Sequence, residues 1–207
     1  MGEAQAEAPA QPPARRLAPG ERRALLIGAA EETFASRGYT QAGLAEVASL
    51  AGVSKTLLYH YFPDGRPELY REVMDRLVAQ VVDAVRTAAR MPTSPQRRLA
   101  DLVAALVDYF EQHPDAYRLL ILEPWGSGDP SVVGQAMAVR ARLASELNGL
   151  LAASGQPVPV TMAGGAAAMG AVLHVCELAM AGQVTAEQAV DLAQRFVAGG
   201  LGALDLI

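Results

Sequence analysis

Residues 44–62 read LAEVASLAGVSKTLLYHYF, and this stretch decides how the N-terminal part of the chain folds. Val47 and Ala48 fall on one side of a short predicted helix, where the small Ala48 side chain lets a second helix cross closely. Gly52 supplies the positive φ that a tight turn between two helices needs. Ser54 is a favourable N-cap for the helix that follows. The stretch therefore predicts two short helices that cross at a tight turn, which is the helix-turn-helix arrangement.

The second helix of this pair offers polar and aromatic side chains on its outer face. Val53 and Leu58 are placed to fill the wedge between the two helices, which leaves the opposite side free. In a helix-turn-helix, the second helix enters the major groove of DNA with its N-terminal residues at the base edges. The predicted DNA-contacting residues on this face are Lys55, Thr56, Tyr59, His60 and Tyr61.

The remaining sequence predicts an all-α protein, because apolar residues recur at helical spacing and no period-two run marks a strand. In the first helix, Leu26, Ala30 and Phe34 repeat every four residues, and Gly38 stands at the C-terminal cap. Residues 123–130 are rich in Pro and Gly and predict a loop. We predict about nine helices, over residues 22–37, 44–50, 54–61, 67–91, 96–112, 115–122, 131–153, 160–181 and 185–204.

Composition divides the chain into three parts. Residues 1–19 are rich in Ala, Pro, Gln and Glu and predict a disordered tail. We expect residues 20–66 to form the helix-turn-helix domain and residues 67–207 to form a larger helical bundle. With 207 residues, of which 51% are hydrophobic, the chain can bury a core. The net charge of −5 excludes a generally basic nucleic-acid coat protein, but a sequence-specific reader needs positive charge only where it meets phosphate.

Cysteine content and hydropathy indicate a cytoplasmic protein. The single cysteine, Cys176, excludes an internal disulfide and fits a reducing compartment. The N-terminal tail lacks the apolar segment of a signal peptide. Residues 160–182 are long enough to span a bilayer, but they consist largely of Ala and Gly and contain His174 and Glu177. Because a charge inside a span is costly, we expect a buried interface helix and no membrane segment.

Across residues 22–75 the sequence resembles the TetR family of transcriptional regulators. The matching residues are Ala29, Ala30, Phe34, Gly38, Tyr39, Val47, Ala48, Gly52, Val53, Ser54, Lys55, Leu58, Tyr59, His60, Tyr61, Phe62 and Leu69. The rest of the chain matches only in being helical and of the right length. The resemblance implies an N-terminal three-helix DNA-binding domain, followed by a helical bundle that binds a small ligand and forms a homodimer.

The resemblance also implies roles for individual residues of the second helix. Lys55 and Thr56 match positions that reach bases or nearby phosphate. Tyr59 and Tyr61 match positions that hold the phosphate backbone. These roles suit the chemistry, since lysine is a charged donor and a tyrosine hydroxyl on a rigid ring can reach a phosphate oxygen.

The chain departs from the family pattern at three places. Ala42 and Gly43 replace the Thr or Ser that caps the first helix of the pair, so we expect Thr40 to cap it instead. Leu57 replaces a family Thr and removes a hydroxyl from the second helix. Arg66 stands near the place of a family lysine and is the predicted phosphate contact there.

Aromatic and polar side chains gather at one place in the otherwise aliphatic bundle. One interpretation is a ligand pocket with an apolar wall and a few placed polar groups. The other is ordinary core with a helix end at His113, and the sequence favours neither. The candidate ligand-binding residues are Tyr109, His113, Tyr117, Trp125 and Met137.

No catalytic constellation is visible: the chain has no nucleophile elbow, phosphate loop or metallohydrolase spacing. His174, Cys176 and Glu177 do not predict a metal site, because residues two apart point to different helix faces. We therefore predict a non-enzymatic protein without metal or cofactor. It is expected to dimerise through roughly residues 160–204 and to repress from a palindromic DNA operator until a small apolar ligand releases it. The alternative is a helical interaction protein of the same fold that has lost specific DNA binding, which the missing hydroxyls at Ala42 and Leu57 favour.

Overall fold

The computed structural model describes residues 18–89, 95–126, 129–151 and 158–203. Within these ranges the chain is helical and contains no strand, which confirms the predicted all-α class. The helices are α1 (Pro19–Gln41), α2 (Leu44–Leu50), α3 (Lys55–Tyr61), α4 (Arg66–Ala89), α5 (Pro95–Gln112), α6 (Pro114–Tyr117), α7 (Glu123–Gly126), α8 (Pro130–Leu151), α9 (Val158–Met180) and α10 (Ala186–Ala203). We call α1–α3 the head and α4–α10 the bundle.

The structure differs from the predicted helix bounds at two informative places. α1 continues past its predicted end but bends at Gly38, whose φ of 74° and ψ of 162° are not helical. The loop predicted from residue 123 is wrong at its start, because Glu123–Gly126 is helical. A π-helical turn, Arg118–Leu122, joins α6 to α7, and the Glu123 N–H donates to the Arg118 carbonyl five residues back.

The helix-turn-helix packs as predicted. Val47, Ala48 and Leu58 are buried between the helices. The Val53 N–H donates to the Ala48 carbonyl at 2.9 Å and closes the turn. Gly52 has the expected positive φ, 66°, so the chain reverses there without strain.

The long helix α4 connects the head to the bundle. Its first turns pack on α1 and its later turns on α5 and α8, while α9 and α10 pack on each other and on α5. An apolar stripe of α4 faces this core, and its members are Leu69, Val73, Leu77, Val81 and Val85.

One helix, Met162–Met180, is long and apolar enough to cross a membrane by length and composition. In the fold, 44% of this segment is buried inside the protein. A core helix of a soluble protein can be equally long and apolar. Gly164 and Gly165 are buried on its inner side, whereas Gly170 is exposed. The packing of α9 against α5, α8 and α10 therefore accounts for its apolar sequence.

The head is fastened to the bundle around Tyr39. The Tyr39 N–H donates to Glu123 Oε1 at 2.9 Å. The Tyr39 ring meets the buried Tyr70 ring edge to face, with centroids 4.9 Å apart. The Arg66 guanidinium lies 5.8 Å from the centroid of the Tyr39 ring. We call this group the Tyr39 junction; its residues are Gly38, Tyr39, Arg66, Tyr70 and Glu123.

Only glycine fits at position 38 of the junction. Its φ and ψ lie in a region that essentially only glycine occupies. A Cβ atom there would also lie 2.6 Å from Glu123 Oε1. Gly38 therefore both bends α1 and leaves room for the carboxylate that binds the Tyr39 N–H.

We expect Gly38→Ala to destabilise the protein by about 2–4 kcal/mol, since backbone strain costs about 1–3 kcal/mol and the displaced hydrogen bond about 1 kcal/mol more. Urea denaturation of the full-length protein measures this change. Gly20→Ala is the matched control, because Gly20 lies in the first turn of α1 and has nothing within 4 Å of its Cβ position. Equal effects of the two substitutions would contradict the assignment.

Candidate nucleic-acid interface

α3 is held firmly at its start and on its inner side. The Ser54 hydroxyl accepts a hydrogen bond from the Leu57 N–H at 3.2 Å, which is the predicted N-cap. Leu58 is fully buried against α2. The helix therefore presents a fixed outer face, and its first turn, the part that reads base edges in this motif, is ordered by the cap.

The predicted DNA-contacting residues share that outer face. Lys55, Thr56, Tyr59 and His60 are exposed, and Tyr61 is partly buried. Lys55 Nζ lies 5.9 Å from the centroid of the Tyr59 ring. The rings of His60 and Tyr61 meet edge to face at 5.6 Å. The structure thus brings Lys55, Thr56, Tyr59 and His60 together on one exposed surface, which we call the α3 face, with Tyr61 half-buried at its edge.

Tyr59 and Phe62 differ in how far they enter the core. Tyr59 is 42% exposed, and its Cε1 atom lies 3.3 Å from the place of a Cβ on Gly65. Gly65 has a φ of 69°, so glycine is needed there for both conformation and space. Phe62 is fully buried, and the Arg23 guanidinium lies 5.1 Å from its ring centroid.

Arg66 makes its observed contacts within the protein. Its Nη1 donates to the Thr40 carbonyl at 3.0 Å, which ties the start of α4 to the end of α1. The predicted phosphate contact of Arg66 remains a prediction. The expectation that Thr40 caps α2 is wrong, because Thr40 lies in the last turn of α1 and Gly43 occupies the N-cap without a side-chain hydrogen bond.

Lys55 differs from two arginines of the head in whether its charge is paired with a carboxylate. Arg23 pairs with Glu72 at 2.8 Å, and Arg37 pairs with Glu46 at 3.4 Å. Among the residues that the structure describes, no carboxylate pairs with Lys55. Since lysine in this chain occurs only at position 55, its ammonium group is a distinctive free cation on the α3 face.

Three of the candidate ligand residues form one aromatic cluster. The Tyr109 hydroxyl donates to Gln80 Oε1 at 3.0 Å, and its ring lies 4.6 Å from that of His113. Phe110 bridges to Tyr117, with ring centroids 5.4 Å apart. Burial raises the pKa of both Tyr109 and Tyr117 to about 12. Tyr109 and Tyr117 are buried in this cluster, whereas His113 is exposed.

The other two candidates are not seen in that cluster. Met137 is 59% exposed on α8. The Trp125 side chain lies outside the part of the chain whose side chains are described. The five residues therefore remain a prediction as a binding site, and the structure brings together only Tyr109, His113 and Tyr117.

Two concave sites lie elsewhere in the bundle. The first, which we call the apolar gap, has a volume of about 20 Å³ and is lined by Val85, Leu102, Val103, Leu106, Leu143, Met169 and Val172. The second, which we call the α4–α8 groove, has a volume of about 230 Å³ and is lined by Arg71, Met74, Asp75, Val78, Gln135, Ala138, Val139 and Arg142. Sequence reasoning missed both sites, because their residues look like ordinary core and solvent-facing positions of helices.

The potential metal ligands on α9 are separated by the helix geometry. His174 Nδ1 and Glu177 Oε2 are 3.2 Å apart on the exposed side. Cys176 is buried on the other side, and burial raises its pKa to about 12. In the described ranges, no group of three His, Cys, Asp or Glu residues is placed to hold a metal ion.

A capped helix with an exposed outer face that crosses a second short helix at a glycine turn defines a helix-turn-helix protein. Residues 26–73 match the family described as "Bacterial regulatory proteins, tetR family". This range begins in α1, contains α2 and α3, and ends in the first turns of α4. The N-terminal part of the chain, from α1 to the first turns of α4, therefore belongs to the TetR family of helix-turn-helix transcriptional regulators.

Individual relatives agree with this assignment. The HTH-type transcriptional activator FasR of Mycolicibacterium smegmatis is 41% identical over 120 residues, which cover 58% of this chain and 54% of FasR. The chain thus spans about half the length of the curated relatives it matches. A TetR-like regulator from Rhodococcus sp. RHA1 shares the fold with a TM-score of 0.72 at 23% identity, over 90% of this chain and 99% of that one. FadR of Bacillus subtilis, solved in complex with stearoyl-CoA, has a TM-score of 0.73 at 15% identity, over 86% and 98%.

We expect Lys55→Ala to weaken binding to the preferred DNA sequence by about 1–3 kcal/mol, if the ammonium group reads a base edge. Tyr61→Phe is expected to weaken all duplexes by a similar factor, since it removes only a phosphate contact. Fluorescence anisotropy on specific and scrambled duplexes separates these two patterns. A Lys55→Ala protein that keeps its full preference for the specific duplex would contradict base reading.

Proposed function

We propose that this protein is a repressor that binds a palindromic operator as a homodimer and leaves it when a small apolar ligand binds. The observation that carries the proposal is the α3 face. Its free Lys55 ammonium and two tyrosines stand on a helix fixed by the Ser54 cap and the buried Leu58. Such groups suit base edges and phosphate oxygens, respectively. We also propose a cytoplasmic location and a domain boundary between residues 66 and 67.

Exposed apolar side chains on α10 support a homodimer through roughly residues 160–204. Phe196 is 70% exposed, and Leu192, one turn earlier on the same side, is 46% exposed. Large apolar side chains clustered on a surface mark a site of association. A two-fold dimer places its two heads on the same side of DNA, so the operator has matching two-fold symmetry.

The glycines of α9 contribute less to this proposal than their sequence suggests. Gly164 and Gly165 are buried within the protomer, so a neighbouring helix of the same chain already approaches them. Gly170 is exposed and has nothing within 4 Å of its Cβ position. Phe196 is therefore a sharper probe of the dimer than any of these glycines.

The apolar gap supports release by an apolar ligand. Its volume of about 20 Å³ is close to the minimum that one water molecule needs, so a ligand can enter only by spreading α4, α5, α8 and α9. Val85 of α4 lines the gap, and the first turns of the same helix carry Tyr70 beneath the head. A ligand that prefers the spread conformer shifts the population of head positions, and equal affinity for both conformers would shift nothing.

Two named relatives bear on the ligand and on the sign of regulation. The FadR structure contains stearoyl-CoA, an acyl compound, which supports an apolar effector. FasR is named an activator, so the sign of regulation has to be tested directly.

The uncapped start of α2 favours a second candidate function. Ala42 is buried, and the Gly43 N-cap has no side chain that could bond α2. The hydroxyl that the family places at the start of this helix is therefore missing, and Leu57 removes a second one from α3. A protein of this fold that only binds other proteins would tolerate these losses. The two candidates differ in whether the protein selects a DNA sequence.

Selection of bound sequences from random duplex DNA tests the proposed function. We expect a two-fold symmetric sequence, and an affinity that falls steeply as salt rises, because phosphate contacts release counterions. A reporter gene behind the selected sequence then gives the sign of regulation. Selection without any enriched sequence would rule out the regulator and leave the interaction protein.

We expect Phe196→Ser to convert the dimer to monomer at micromolar concentration, because it removes a large apolar side chain from the centre of the proposed interface. Sedimentation velocity measures the change, and affinity for the selected operator should fall with it. Leu25→Ser is the matched control, since Leu25 is similarly apolar and 47% exposed but lies on α1. A Phe196→Ser protein that stays dimeric would place the interface elsewhere.

A further inference from the structure

We propose that the ligand is an amphiphile, an aliphatic chain that ends in a carboxylate or phosphate, with its charged end in the α4–α8 groove at Arg142 and its chain in the apolar gap. This inference rests on the proposed function, because it names the chemical class of the ligand that enters the same bundle. It is carried by the α4–α8 groove, by the charges on its rim and by its alignment with the gap.

The α4–α8 groove is formed by one face of each helix. On α4, Arg71, Met74, Asp75 and Val78 line it, and on α8 the lining residues Gln135, Ala138, Val139 and Arg142 have the same helical spacing. Met74, Val78 and Val139 are buried and form an apolar floor. Arg71 and Arg142 are exposed at the rim. The groove thus has an apolar floor, and each of its two helices carries one guanidinium group at the rim.

Within the described part of the chain, no carboxylate is paired with either rim arginine. Ion pairs do engage other arginines of the chain, namely Arg23, Arg37, Arg76 and Arg195. Among the described residues, neither Arg71 nor Arg142 takes part in such a pair. Guanidinium groups bind carboxylates and phosphates through two parallel hydrogen bonds, so an anionic group is the complementary occupant.

Asp75 lines the same groove and carries the opposite charge. It forms no ion pair with either rim arginine in the described structure. Two arginines and one aspartate still leave the groove cationic. Asp75 therefore weakens the attraction for an anion without reversing it, and this sign can be measured.

The groove leads toward the apolar gap along the same two helix faces. On α4, Val78 lines the groove and Val85 lines the gap seven residues later, which is two turns on the same side. On α8, Val139 lines the groove and Leu143 lines the gap one turn later. Seven residues of helix span about 10 Å. Arg142 stands at the end of the groove next to the gap and Arg71 at the other end, so a chain whose charged end is bound at Arg142 can enter the gap directly.

The lining of the gap selects an aliphatic chain. Only Val, Leu and Met side chains surround it, and these offer no hydrogen-bond donor or strong acceptor. A polar group buried there would lose its hydrogen bonds to water without replacement. The charged end of the ligand must then stay in the open groove, where Arg71 follows Tyr70 of the Tyr39 junction directly.

The test uses the full-length protein and three probes, decanoate, decyl phosphate and decanol, titrated by calorimetry. We expect decanoate or decyl phosphate to bind at least about tenfold more tightly than decanol, because decanol lacks the charge-assisted hydrogen bonds. Which of the two anions binds better identifies the charged group. Decanol that binds as tightly as both anions would overturn the inference while leaving an apolar ligand in place.

Substitutions in the groove make the test specific. Arg142→Gln should weaken decanoate by about tenfold and Arg71→Gln by less, because Arg71 lies at the far end of the groove, and both should leave decanol unchanged. Asp75→Asn should tighten decanoate. Arg118→Gln is the matched control, because Arg118 is an exposed arginine on the π-turn and does not line the groove. Decanoate affinity that survives the double substitution of Arg71 and Arg142 would overturn the charged site.

Chain length tests the apolar gap. Each added methylene should strengthen binding to the wild-type protein by about fourfold from hexanoate to decanoate. Val172→Phe should remove that gain by filling the gap while hexanoate still binds, and the wild-type series keeps this arm informative if the variant does not fold. A flat series overturns the inference. If none of the probes binds, both the amphiphile inference and the proposed apolar effector are overturned. If the selection from random DNA fails, only the proposed function as a transcriptional regulator is contradicted.

Discussion

The hydrogen bond from the Tyr39 N–H to the Glu123 carboxylate sets how the head sits on the bundle. It needs a glycine at position 38, because any Cβ would collide with the carboxylate. It also needs the π-turn, which aims Glu123 at the bend of α1. Tyr70 lies fully buried beside both groups, and its pKa is raised first by burial and then by the charge of Glu123. The DNA-reading face is thus oriented by a contact far from DNA.

Tyr39 is touched by three helices of the bundle, which explains how a change inside the bundle can reach the head. α4 contributes the Tyr70 ring, and α7 contributes the Glu123 carboxylate. The start of α8 contributes Ser131, whose side chain lies near the Tyr39 hydroxyl. Any movement that separates α4 from α8 therefore pulls on one residue from different sides, and the contacts at Tyr39 cannot all survive it.

The predictability of each part follows the range of the interactions that create it. The helix-turn-helix was predictable because Ala48, Gly52 and Ser54 act within a few residues of one another. The helix over residues 123–126 could not be predicted in this way. Its Pro- and Gly-rich sequence suggests a loop, whereas Glu123 is held by a hydrogen bond to Tyr39, 84 residues away. The aromatic residues of the bundle suggested a ligand pocket from sequence. The apolar gap and the α4–α8 groove instead arise from the spacing between whole helices, which no single residue type predicts.

The π-turn Arg118–Leu122 fits one more residue into its turn than an α-helix would. If the same residues were wound as an α-helix, in which each residue turns by about 100°, Glu123 would be rotated by about a quarter turn around the helix axis. The carboxylate would then face away from Tyr39. The orientation of the head therefore depends on how the backbone of the π-turn is wound as well as on the side chains of the junction. A change that returned this turn to α-helical winding at unchanged length would therefore redirect the reading head in a single step, whereas substitutions at the junction would only loosen it.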